Sequence, residues 1–293
     1  MCEVVFVFRL LRLRGFLKAK SAVFHSGNEK TGSVVLLNRL KFIVDGEPVD
    51  VPYISGNAVR GILRRMVFKD MLDQIGYEID VSKKGGQKLY HALFSGGILE
   101  TVEESQGVID IELKRKILNL IPPARLFGFS LGNQMIEGKL KVGHLLPICK
   151  ELAEYLPDDI RPKNSFYELI GHVFQTRKDE LRVERGEDEQ AVQMLVEYEV
   201  FIPGTPFYHE IMLEDPTELD VSCLARVIEL WKEKPFIGGK SSIGMGELKI
   251  NYDFDKKSKQ FEKWFNSSLY LRFLEEERDE ICLLLKGLEN LNL

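Results

Sequence analysis

A chain of 293 residues has room for one large domain or two modest ones, either with a sizeable buried core. Hydrophobic residues make up 44% and charged residues 29%, ordinary for a globular protein, and no run reaches the roughly 18 to 20 apolar residues of a membrane span, so no membrane partner is expected. The net charge of −5 disfavours a polyanion binder only if it is evenly spread, and it is not. The start carries Arg9, Arg12, Arg14, Lys18 and Lys20 against Glu3, and residues 60–69 carry Arg60, Arg64, Arg65 and Lys69 with no acid, while acids gather in RVERGEDEQ and LEEERDE.

Residues 3–24 are rich in Val and Phe, partly alternating, and studded with arginines; they predict a first strand or strand pair, not a signal peptide. HSGNEKTGS (25–33) has loop composition, and Asp45-Gly46 splits the following strand-like runs as a hairpin turn would. AVRGILRRMVFKDMLDQIG predicts the strongest helix: Val59, Ile62, Leu63, Met66, Val67, Met71, Leu72 and Ile75 recur at helical spacing. Ser55 or Asn57 suits its start and Gly76 its end. Gly61, inside that helix, costs about 1 kcal/mol against alanine, and a close backbone approach is one reason to tolerate it. VSKKGGQKLYHALFSGG reads as loop-rich, DIELKRKILNLIPPARLFGFS as a helix or strand broken at Pro122-Pro123, and GKLKVGHLLPI as a strand. Residues 163–213 have strand-like ends around a long charged excursion; ELDVSCLARVIELW is an amphipathic helix, ELKINYDF a strand, and the chain from Ser258 mostly helical. The order, with long insertions and no internal repeat, predicts a single elaborated α+β domain in which two helices share one antiparallel sheet, the ferredoxin-like pattern.

Cys2, Cys149, Cys223 and Cys282 are scattered without a CxxC pair, which points to reduced thiols in a cytoplasmic protein. The five histidines show no ligand spacing, so neither a metal nor a cofactor is expected. No nucleophile elbow, triad or carboxylate cluster stands out, and no catalytic residue is assigned. Two constellations carry more. In PYISGNAVRGILRR small residues lead into a helix start, whose free N–H groups suit phosphate, and Arg60 and Arg64 lie one turn apart. The plainer alternative is a capped surface helix with solvated arginines. In FIGGKSSIGMG glycines permit close backbone approach to an anion, and Lys240, Ser241 and Ser242 add donors; the order fits neither a P-loop nor a dinucleotide fingerprint. The plainer alternative there is a flexible hairpin connection. TRKDELRVERGEDEQ, with Arg177 and Lys178, has the composition of a solvated charged hairpin.

These segments carry a resemblance. VPYISGNAVRGILRR resembles the IPGSSLKGxLR-type segment of the RAMP superfamily of CRISPR-associated proteins, and FIGGKSSIGMGELKI resembles its glycine-rich loop. RLFGFSLGNQMIEGKLKVGHLLP is similar to its LFG…GxLxVxD segment, and TRKDE followed by YEVFIPGTPFYHEIML to its thumb region and the VPxGTxF strand. The likeness covers residues 1–252, best to the backbone subunit that polymerises along the guide RNA. It implies a modified ferredoxin-like (RRM-like) palm in 1–252, an inserted β-hairpin thumb at about 163–200, and a helical C-terminal extension in 253–293 without a counterpart.

Carried over residue by residue, Ser55, Gly56, Asn57, Arg60 and Arg64, together with Gly238, Gly239, Lys240, Ser241 and Ser242, would meet guide phosphates, with Arg177 and Lys178 in or near the thumb. The implied partners are guide RNA, base-paired target nucleic acid, copies of the chain and other effector subunits. Relatives that cleave target RNA carry an aspartate in the first loop. FHSGNEKTGS has none, only Asn28 and Glu29, and GHLLP lacks another usual aspartate. This favours a binding-only subunit, as in type I or type IV complexes; RGILRR is most similar to the type IV version. The rival expectations are a RAMP-type endoribonuclease, processing precursor guide RNA with His25 as base or cleaving target RNA, and a protein-only scaffold.

Overall fold

Apolar alternation after Arg9 becomes β1 (Leu10–Ala19), which sends Leu11, Leu13 and Leu17 into the core. The computed structural model describes residues 9–31, 34–97, 110–131, 134–177 and 194–290. β2 (Ser26–Thr31) pairs antiparallel with β3 (Val34–Leu37), so part of the stretch read as loop is strand. Its polar composition hid a backbone ladder that needs no apolar face. β4 (Arg39–Val44) and β5 (Glu47–Pro52) form the expected hairpin, closed by Asp45 and Gly46 at φ 51° and 86°.

α1 (Gly56–Ile75) buries Val59, Leu63, Val67, Phe68, Met71 and Ile75. At about 1.5–3 kcal/mol for each large apolar side chain buried, that face outweighs the cost of Gly61. The Ser55 side chain accepts from the Ala58 N–H, and Gly76 closes the helix at φ 65°. α2 (Lys84–Ser95) lies where a loop was expected. Its Gly85 and Gly86 serve packing, not turning: a Cβ would stand 1.8 Å from the Glu289 carbonyl oxygen and 2.0 Å from that of Asp80. α3 (Ile111–Leu120) ends at the prolines, which open α4 (Pro122–Phe127).

Short strands β6 (Phe129–Leu131), β7 (Gln134–Ile136), β8 (Leu140–Val142) and β9 (Leu146–Pro147) follow. β10 (Ile170–Arg177) pairs antiparallel with β11 (Met194–Phe201), and β12 (Pro206–Glu214) then crosses the core. α5 (Glu218–Glu233) opens with a capping box between Thr217 and Asp220, and β13 (Leu248–Phe254) closes the main sheet. The sheet order is β13-β1-β12-β8, with β9 also on β12. A second sheet runs β10-β11-β3-β2, its β11–β3 contact parallel. The architecture is α+β with largely antiparallel sheets.

α1 and α5 are locked together by a bidentate ion pair: Arg226 of α5 reaches the buried Asp70 of α1 at 2.6 and 3.1 Å. The C-terminal residues are helical, with a 3₁₀ segment Lys256–Trp264, α6 (Ser268–Glu276) and α7 (Arg278–Asn290). They share the main core: Phe261, Tyr270, Leu274, Ile281 and Leu285 join the cluster that holds Leu63 and Phe68 of α1. Among the described residues, no helix is long and apolar enough to cross a membrane.

Candidate functional site

The two segments singled out in the sequence meet at one cleft of about 470 Å³. It is lined by Asn57, Arg60, Gly61, Arg64 and Arg65 of α1, Phe94 and Ser95 of α2, His25 after β1, and Gly238 of the glycine-rich loop. No lining residue is acidic. Backbone pairing makes the meeting possible. β13 runs antiparallel to β1, and the Gly239 N–H donates to the Phe24 carbonyl at 2.9 Å, which carries the loop to the mouth of the helix.

The start of α1 is held by side chains. The Ser55 N–H donates to His25 Nε2 at 3.3 Å and the Gly56 N–H to His144 Nδ1 at 2.9 Å. Gly56 is obligatory, since a Cβ there would lie 2.4 and 2.5 Å from the Val142 and Gly143 carbonyl oxygens. Burial lowers the His25 pKa and keeps the ring neutral, as accepting at Nε2 requires. Part of the donor set that would attract an anion at a helix start is therefore already taken; Asn57 is exposed at the rim.

Arg60 and Arg64 do not hang free. Arg60 donates to the carbonyls of Leu140 at 2.5 Å and Phe127 at 2.6 Å; Arg64, buried, donates to Phe127 at 2.6 Å and Leu93 at 3.4 Å. Both guanidinium carbons lie 5.6 Å from the Phe127 ring centre. Burial lowers the Arg60 pKa, and burial followed by repulsion from Arg60 lowers that of Arg64 to about 10. Among the described residues no carboxylate forms an ion pair with either. The β1 cations are different: Arg14 pairs with Asp159 at 2.6 Å, Lys20 with Glu247 at 2.8 Å, and Arg12 approaches Glu210 at 3.8 Å. Arg9 and Lys18 also form no ion pair among the described residues but are exposed; Arg60 and Arg64 combine burial with the lack of a counter-charge. Arg65, exposed on the cleft wall, extends the pair.

The glycine-rich loop is more occupied than its composition suggests. Gly238, at φ 80°, has the Phe24 carbonyl oxygen 2.1 Å from where a Cβ would sit, and Gly246, at φ 89°, that of Ile237 at 2.2 Å. Lys240 adopts left-handed geometry, donates to Gln175 Oε1 at 2.8 Å and stands 4.2 Å from the Tyr198 ring centre. Its ammonium thus ties the loop to β10 and β11. Gly239, Ser241 and Ser242 are exposed beside it. Arg177 is the last residue of β10, opposite Met194, and Lys178 lies outside the described residues. Gly61 has no backbone within 4 Å of its Cβ position, only the Arg65 guanidinium at 3.3 Å, so its glycine keeps the cleft floor clear instead of admitting another chain segment. Sequence reasoning passed over Phe94, Ser95 and the capping role of His144; only the RR doublet signalled Arg65.

No family model matches the chain and no curated protein matches it by sequence. A solved structure described as "Type IV-B CRISPR Complex" contains a chain that superposes with a TM-score of 0.59 at 21% identity, over 83% of this chain and 90% of that one. The two chains share a fold. The shared extent takes in most of this polypeptide, not an isolated supersecondary unit.

Proposed function

We propose that this chain is a guide-RNA-binding backbone subunit of a CRISPR effector complex, without catalysis of its own. The observation that carries the reading is the cleft where Arg60, Arg64 and Arg65 converge on Gly238 with no acid in the lining. Two guanidinium groups one helical turn apart repel each other, and both lose hydration to burial. Carbonyl oxygens satisfy their N–H groups but supply no net charge, so an entering phosphate provides what the site lacks.

The fold supports the same reading. The main sheet takes β1, α1, β8, β12, α5 and β13 in strand order β13-β1-β12-β8, which we read as a ferredoxin-like, RRM-like palm spanning 1–252. We read β10 and β11 as the base of the thumb, and 253–293 as an extension that braces the palm. Likeness to a chain of a CRISPR complex, with the four sequence motifs, supports membership of such an assembly in the cytoplasm, with base-paired target, further copies of the chain and other effector subunits as partners. Ser55, Gly56, Asn57, Arg60, Arg64, Gly238, Gly239, Lys240, Ser241, Ser242, Arg177 and Lys178 form the proposed RNA-binding set. Within it Arg60 and Arg64 supply charge, while Gly56 and Gly238 hold the walls in place.

A spacer must vary, so affinity has to come from phosphate and not from base identity. Arg60→Gln combined with Lys240→Ala is expected to weaken binding alike on unrelated single-stranded RNAs. It should also make the dependence of log K on log salt shallower by roughly 0.7 for each phosphate left without its cation. Fluorescence anisotropy across a salt series measures both; an unchanged slope refutes the phosphate reading.

A further inference from the structure

Beside the cationic cleft, α2 carries an aromatic stack whose inner ring, Phe94, packs against the main core while its outer ring, Tyr90, is exposed. Tyr90 and Phe94, four residues apart and so on one helix face, have ring centres 4.6 Å apart and planes inclined by 25°. Phe94 lines the cleft with Arg60, Arg64 and Arg65. Tyr90 is 43% exposed. The two rings therefore form a stair from the cleft wall to the surface, with Tyr90 pre-set in orientation by the ring beneath it.

We propose that Tyr90 is a stacking platform for one nucleobase of the strand whose phosphates enter the cleft. This rests on the RNA-binding reading above and adds to it an interaction with a base. The occupant follows from charge and shape together. A cleft lined by three arginines and no carboxylate selects an anionic chain. An exposed ring, already stacked on a second, offers a flat π surface to a ligand that repeats flat rings along an anionic backbone. A duplex keeps its bases inside its own stack, so the match is to a single-stranded segment. Every base has a π face, and the stacking therefore tolerates sequence variation, as a guide-binding surface must.

The test uses the full chain and two single-stranded RNA oligonucleotides, one with 2-aminopurine at a central position and one abasic there. The wild-type chain is expected to quench the 2-aminopurine and to bind the intact RNA more tightly than the abasic one. Tyr90→Leu, which keeps apolar bulk on an exposed helical position, should abolish the quench and weaken intact RNA roughly 5- to 150-fold, the usual range for loss of one stacked base. It should leave the salt slope and the abasic affinity unchanged, and Tyr90→Trp should restore the quench. A quench and affinity that survive Tyr90→Leu overturn the platform, as does an equal loss on intact and abasic RNA. If neither RNA binds the wild-type chain in a salt-dependent way, the RNA reading falls and the platform with it. Binding of poly-glutamate with the same loss on Tyr90→Leu assigns the patch to an acidic protein and overturns the proposal.

Discussion

Gly61 offers a perturbation whose effects on stability and binding run in opposite directions. It sits inside α1, where glycine costs about 1 kcal/mol relative to alanine. Its Cβ position meets only the Arg65 guanidinium, with Nη1 at 3.3 Å and Cζ at 4.0 Å, the far end of a flexible side chain that can yield. Gly61→Ala should therefore stabilise the fold by about 1 kcal/mol, or about 2 °C in melting temperature for a chain of this size. Gly61→Glu gains nearly as much propensity and places a carboxylate four residues before Arg65, worth a further ~0.3–0.5 kcal/mol. That carboxylate also gives Arg60 and Arg64 the counter-charge the cleft lacks. RNA binding should respond inversely. The new carboxylate competes with phosphate for the same guanidinium groups, so Gly61→Glu should bind weakly, with a salt slope shallower by roughly 0.7 for each phosphate displaced. Gly61→Ala should lose less. Melting by circular dichroism and anisotropy across a salt series read the two effects on the same samples. A Gly61→Glu chain that melts below wild type, or binds RNA with the wild-type slope, refutes the assignment of this helix face.

Two further outcomes follow, one from the buried His209 and one from Gly238 in the cleft lining. His209 is fully buried, accepts at Nδ1 from the Tyr252 hydroxyl at 2.5 Å and donates from Nε2 to the Gly143 carbonyl at 3.1 Å; burial above all, countered by that carbonyl and reinforced by His144, brings its pKa down from 6.5 to about 3. The unfolded chain thus binds a proton that the folded chain refuses, so stability should fall by about 1.4 kcal/mol per unit as pH drops from 6.5 toward 3, and the urea midpoint of His209→Gln should change less with pH over that window; an equal slope in both refutes the assignment. Gly238→Ala and Gly204→Ala both place alanine at positive φ, but only Gly238 faces a carbonyl oxygen at 2.1 Å, while Gly204 has nothing within 4 Å. Gly238→Ala should destabilise by more than Gly204→Ala, whose cost is about 1–2 kcal/mol, and should also weaken RNA binding; equal losses in urea unfolding would show that the loop is not held against Phe24.

What could be read from the sequence was what neighbouring residues decide. The apolar period of α1, its Ser55 cap and its Gly76 stop are local, and so is the Asp45-Gly46 turn, where both residues take positive φ. In α2 one of the two glycines that suggested a loop answers to a residue far along the chain: Gly85 is required by Glu289, more than two hundred positions away, while Gly86 packs on nearby Asp80. The same fact complicates the glycine-rich loop. Gly238 and Gly246 each have a sufficient reason in a carbonyl packed against them, and Lys240 has one in Gln175 and Tyr198, so the loop's composition alone does not argue for an anion. The weight passes to α1. There, Arg60 and Arg64 are desolvated side by side without a counter-ion among the described residues; their hydrogen bonds to the carbonyls of Phe127, Leu140 and Leu93 tie α1 to its neighbours but bring no negative charge. Sequence spacing put the two arginines on one face. Only the fold shows that this face is the wall of a cleft, that Gly238 lines the same cleft, and that the carbonyl of Phe127 holds both guanidinium groups in place before any ligand arrives. Such pre-organisation is what a site gains from meeting its cost of desolvation during folding, since the ordering of the two long side chains is then not charged against binding.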